Sequence, residues 1–132
     1  MKKTTFILFL FVALATQQIS AQSAFDKWEA LKSFHSVMSQ TYHPMEEGNL
    51  EPVKSRSGEL MEQANTLATS KIPAEFNTDS MKASVKKLKK DSKSLHKLVK
   101  SKKSTDEEIK KSLENLQDAF HQIVGLCRGD DH

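Results

Sequence analysis

The run Met81, Val85, Leu88, Ser92, Leu95 and Val99 constrains the chain most: apolar or small residues recur at alternating spacings of four and three, with lysines crowding the positions between them. A half-buried strand would alternate every second residue, whereas this period is that of a helix with one narrow apolar stripe. A single helix cannot bury its own stripe, so the rest of the chain has to supply helices that cover it. Three further segments are suited to that. Trp28, Leu31, His35, Met38 and Tyr42 predict a first helix over about 24–43, and Val53, Leu60, Ala64 and Leu67 predict a second ending near Ser70. Ile109, Leu113, Leu116, Phe120, Ile123 and Cys127 predict a fourth. No strand pattern occurs between them.

The boundaries carry their own signals. Pro44 removes an amide and crowds the preceding turn, so the first helix either stops there or kinks and runs on to Glu47. Gly48 suits a left-handed C-terminal cap, Asn49 an N-cap and Pro52 the first turn of the second helix. Ile72 and Pro73 open a loop that ends near Asn77, and Thr78 or Asp79 caps the third helix. Thr105 followed by Asp106, Glu107 and Glu108 is a capping-box start with acids at the positive end of the helix dipole. Four helices of about 20 residues joined by short loops predict an all-α, antiparallel up-down-up-down four-helix bundle. At 132 residues the chain has room for one such domain.

The N-terminus reads as an address. Lys2 and Lys3 precede ten unbroken apolar residues, Phe6 to Ala15, and Ile19-Ser20-Ala21 offers a small residue at a cut before Gln22. The run is too short for a spanning helix, which needs about 20 apolar residues, so residues 1–21 are expected to be a cleaved signal peptide. Residues 22–132 then form the mature bundle, periplasmic or secreted, with no transmembrane segment of its own. Cleavage lowers the net charge from +3 to +1. A lone Cys127 makes no internal disulfide, so the core must hold the fold unaided. The thiol is a small buried hydrophobe near a helix end, or else a soft metal ligand or an intermolecular thiol.

Candidate ligands are the residues that break the apolar pattern. His35 takes a core position between Leu31 and Met38, where a Leu would need no partner, and the Met38 thioether lies one turn away. His121, after Phe120, borders the stripe of the last helix. In an antiparallel pairing the two histidines differ in height by about five residues, on the order of 7 Å, which two side chains can close. His43 with Glu46 or Glu47 has the i, i+3 and i, i+4 spacing of a metal-ligand pair if the helix persists through Pro44. Carboxylates there face the negative end of the helix dipole, a disfavour that a cation would offset. His96, on the third helix near the same end by residue counting, is a further candidate, although its lysine neighbours favour a surface position.

The stretches Phe34-His35-x-x-Met38, His43-Pro44-x-Glu46-Glu47-Gly48-Asn49-Leu50-x-Pro52 and Phe120-His121-x-Ile123-x-x-x-Cys127 resemble those of small, exported bacterial helical-bundle proteins. The similarity spans most of the mature chain, and the middle motif is its most specific part. In architecture the chain also resembles the periplasmic haem bundles of the cytochrome b and cytochrome c prime type, in which a Met of the first helix or a His of the last serves the iron. No Cys-x-x-Cys-His occurs, so covalent attachment is excluded, and Met38 or His35 with His121 are what remain for a non-covalent haem. The resemblance implies a periplasmic bundle with a metal or haem role.

Two functions are therefore expected from the residues. In the first, His35, Met38, His43, Glu46, Glu47 and His121 hold a divalent transition metal, Zn, Cu or Ni, or less readily a haem. In the second, the bundle binds no small ligand and its third helix docks an anionic envelope surface or an acidic protein. Residues 78–104 carry ten lysines against Asp79 and Asp91, a local charge of +8, between flanks of −3 and −4. The plainer reading of those lysines is that they pair with acids of the neighbouring helices. Nucleic acid is not an expected partner, because export removes it and no aromatic residue interleaves the lysines. Nor is catalysis expected: the chain has no Ser-His-Asp signature, no Gly-rich phosphate loop and no duplicated Glu-x-x-His.

Overall fold

A computed structural model describes residues 21–129, and these are all-helical, without strands. The expected signal segment, except Ala21, and the terminal His132 lie outside the described residues. The elements are α1 (Ala21–Lys27), α2 (Glu29–Glu46), α3 (Glu51–Thr69), a single 3₁₀ turn (Ala74–Phe76), α4 (Asp79–Lys100) and α5 (Asp106–Cys127). Each long helix packs on the next, α2 also meets α5, and the short α1 rests on both α2 and α5. One apolar core runs between them, with Leu31, Phe34, Val53, Leu60, Leu67, Leu88, Leu95, Leu113, Leu116 and Ile123 fully enclosed.

Most of the predicted stripes are the buried ones. In α3 the inward residues are Val53, Leu60, Ala64 and Leu67, joined by Ser57. In α4 they are Met81, Val85, Leu88, Ser92 and Leu95, and Val99 is half-buried. Every predicted inward residue of α5 is buried, and Thr105 and Glu108 form the reciprocal capping box. Thr78 caps α4, its hydroxyl accepting from the Met81 amide at 3.1 Å. Gly48 has φ +89°, as a left-handed cap requires, and the Asn49 side chain accepts from the Glu51 amide at 3.1 Å.

The first predicted helix departs from expectation in two respects. It is broken at Trp28, whose backbone (φ −131°, ψ 88°) leaves the helical region while its indole is buried. The indole N–H donates to the Ser70 hydroxyl at 3.0 Å, and that hydroxyl donates on to the Leu67 carbonyl at 2.7 Å. A buried indole needs such a partner, and reaching it at the end of α3 fixes the bend. At Pro44, of the two courses expected, the helix takes the one that runs on, ending at Glu46. Pro44 sits in the last turn, where it costs one backbone bond, and Met45 just beyond it is 3% exposed and holds that turn against the core.

The second departure is one of register. The buried residues of α2 are Leu31, Phe34, Val37, Met38, Thr41 and Met45, so Phe34 takes the core position expected of His35. His35 is exposed and Tyr42 is half-buried. A phenyl ring needs no polar partner, and placing it inward leaves the imidazole wet. Thr41, the one polar side chain in that stripe, satisfies itself by donating to the Val37 and Met38 carbonyls at 3.1 and 3.0 Å.

Candidate functional site

Four of the six candidate ligands fall into two separate pairs. His35 on α2 and His121 on α5 line one open groove of ≈ 370 Å³, with Phe25, Phe120, Val124 and Arg128. Its floor is apolar because Phe25, Phe120 and Val124 are each at least nine-tenths buried. The His35 ring stacks on Phe25 (centroids 4.6 Å apart, planes at 21°) and on Phe120 (5.5 Å, 17°). The His121 ring lies 6.4 Å from Phe120 at a tilt of 44°. Both histidines are exposed overall.

The surroundings of His35 also act on its protonation. Partial burial lowers the His35 pKa below its ordinary 6.5, and the positive charge of His43 lowers it further. A neutral imidazole, with a nitrogen lone pair free to bind, is the form this favours at neutral pH.

The other candidates stand elsewhere. Met38 is 1% exposed and packs in the core, so its thioether belongs to the hydrophobic interior and not to the groove. His43 and Glu46 do meet, Nδ1 to Oε1 at 3.3 Å, as an exposed pair on the last turn of α2. Glu47 is the exposed C-cap residue of that helix. The i, i+3 half of the expected grouping is thus present. Among the described residues, no three His, Cys, Asp or Glu side chains come together in a way that could hold a metal ion. Cys127 is buried and free, and burial, with a smaller contribution from Glu75, pushes its thiol up to about 11.

His96 differs from its sequence reading. Instead of lying among the surface lysines it is half-buried between α4 and α3, its Nδ1 2.9 Å from the Ser57 hydroxyl. Gly58 permits this approach, since a Cβ there would meet the ring at 3.3 Å. Sequence reasoning also missed Phe25, Val124 and Arg128 as groove residues. Phe25 carried a weak signal, standing three residues before the buried Trp28.

The lysines of α4 do not pair with the acids of neighbouring helices. Among the described residues the only ion pair of this helix is internal, Lys87 with Asp91 at 2.6 Å. Acids gather on the α2 and α5 side, where burial and then Glu46, Glu114 and Asp118 raise the Tyr42 pKa. No helix among the described residues is long and apolar enough to cross a membrane. The chain matches no family model, no curated protein and no solved structure.

Proposed function

We propose that the protein is an exported, antiparallel up-down-up-down four-helix bundle that binds a divalent transition ion of the Zn, Cu or Ni class through His35 and His121. The side-chain links favour that topology. Trp28, before α2, bonds Ser70 at the end of α3; Ser57 in the first half of α3 meets His96 late in α4; Lys54 near the start of α3 pairs with Asp106 at the start of α5 at 2.9 Å. Each link is the one that alternating helix directions produce.

The observation that carries the ligand reading is that both imidazoles line one groove over an aromatic floor. Imidazole nitrogen is a borderline-soft donor that suits Zn, Cu and Ni, and the Irving–Williams order puts Cu²⁺ highest among them. Two protein ligands leave the remaining coordination positions to water or to a second donor, so the site is open and exchangeable. Of the two ligand pairs considered for a haem, Met38 with His121 is not supported, because the Met38 thioether is enclosed in the core.

Thermal melting of the purified protein with Zn²⁺, Cu²⁺ and Ni²⁺ in turn tests the reading. A ligand that binds only the folded state raises the Tm. The rise is expected with the native chain, reduced in His35→Ala and in His121→Ala, and retained in His43→Ala. A native melt that none of the three ions moves contradicts it.

A further inference from the structure

The solvent face of α4 carries a second and independent signal. Lys82, Lys86, Lys89, Lys90, Lys93, Lys97 and Lys100 fall within an arc of about 100° at 3.6 residues per turn, along a helix of roughly 33 Å. Lys102 and Lys103 extend the row into the following turn. None of these nine has an acidic partner within ion-pair distance among the described residues, where the five ion pairs are Lys27–Glu75, His43–Glu46, Lys54–Asp106, Arg56–Glu59 and Lys87–Asp91. Like charges this close repel one another and destabilise the helix modestly, so an external anion relieves a cost already present in the free protein.

We propose that this face docks the protein onto a bilayer surface bearing anionic phospholipid headgroups. Three observations select that occupant. The exposed residues of α4 are lysines, serines, Ala83 and Asp79, with no exposed aromatic or large aliphatic side chain among them. A protein partner would need a desolvated apolar or aromatic centre to hold it, and a single-stranded nucleic acid would need rings to stack on; the face offers neither. A bilayer surface needs only charge, repeated over a broad area. The shape agrees, because the amines lie along one exposed side of a helix and not around a cleft. Finally, the molecule is polar in charge: residues 78–104 carry +8 while the segments before and after them in the mature chain carry −3 and −4. An anionic plane attracts α4 and repels the rest, which sets one orientation with α4 against the lipid, and the histidine groove takes no lining residue from α4. With no apolar side chain to insert, the protein rests at headgroup level and is released by salt.

Co-sedimentation with vesicles of phosphatidylcholine, alone and mixed with phosphatidylglycerol, tests the proposal. Binding is expected to the mixed vesicles only, and to fade as salt is raised. Replacing Lys86, Lys89, Lys93 and Lys97 by Gln is expected to weaken it on the order of a hundredfold or more, from the attraction each lysine feels near an anionic surface. The same four positions changed to Arg retain binding, and Lys110→Gln with Lys111→Gln on α5 leaves it nearly unaltered. Melting curves of each variant report folding: the Gln variant of α4 is expected to melt at the native Tm or slightly above it, having lost the repulsion, and the other variants at the native Tm. No binding to mixed vesicles at low salt overturns the proposal. So does undiminished binding by the Gln variant, or capture of the native protein by soluble polyglutamate or heparin while mixed vesicles leave it free.

Discussion

Replacing Phe34 by Ala removes a ring that is fully enclosed in the core and packs on Phe120 with centroids 5.6 Å apart and planes tilted by 34°. Truncating a buried Phe costs about 3–5 kcal/mol, counting lost transfer energy and the cavity left behind. The upper part of that range is expected, because the aromatic pair contributes about 0.5–1.5 kcal/mol beyond its buried area. Domains of this size have roughly 5–15 kcal/mol in all, so the variant should sit close to the limit of folding. At about 4 °C per kcal/mol for a chain slightly over 100 residues, the Tm falls by roughly 15 °C. The neighbouring substitution His35→Ala behaves differently. Its side chain is exposed, and what it loses is one stacked face against Phe25 and Phe120, about 0.5–1.5 kcal/mol. Urea denaturation followed by circular dichroism on both variants measures the two costs. If His35→Ala costs as much as Phe34→Ala, the helix is rotated from the register described and the groove does not exist in this form.

The Cys127 thiol is protonated in both folded and unfolded states below about pH 9, where its share of stability is complete. Because its folded pKa is raised to about 11, the unfolded chain loses its proton first as pH rises above 9, and stability declines through that window by about 2–3 kcal/mol. Denaturation of the native chain and Cys127→Ala at pH 8 and pH 11 isolates this from lysine titration, and an equal decline in both refutes it. Thr105→Ala removes the cap bond to the Glu108 amide at 3.1 Å and should cost about 0.5–2 kcal/mol by chemical denaturation, with Thr105→Ser restoring most of it. No loss in Thr105→Ala would mean that water caps α5 equally well.

The helices and their buried faces are legible in the sequence where periodicity and composition agree. In α4 and α5 the inward stripe is flanked by charges on both sides, so only one rotation of each helix buries apolar surface. In α2 two stripes compete: Trp28, Leu31, His35, Met38, Tyr42 and Leu31, Phe34, Met38, Thr41, Met45 share Leu31 and Met38. The second wins because it puts a Phe where the first puts a His, and because α2 continues beyond Pro44 to bury Met45. Breaking the chain at Trp28 depends on Ser70, 42 residues away, which no local pattern encodes. The groove mixes both kinds of information. His35 and His121 stood out as polar breaks beside apolar stripes, and the height argument allowed them to meet. Its floor combines Phe25 of α1 with Phe120 and Val124 of α5, a tertiary contact that spacing does not specify. The His43–Glu46 pair is the opposite case, because a spacing of three on one helix face was enough to place it.

The most direct test of the metal-binding account is to follow the imidazole resonances of the histidines by NMR while Zn²⁺ is added to the native protein. The account predicts that the ring signals of His35 and His121 shift together and saturate at one ion per chain, with those of His96 unmoved behind its bond to Ser57. Shifts confined to His43, or no saturable shift at all, would contradict it.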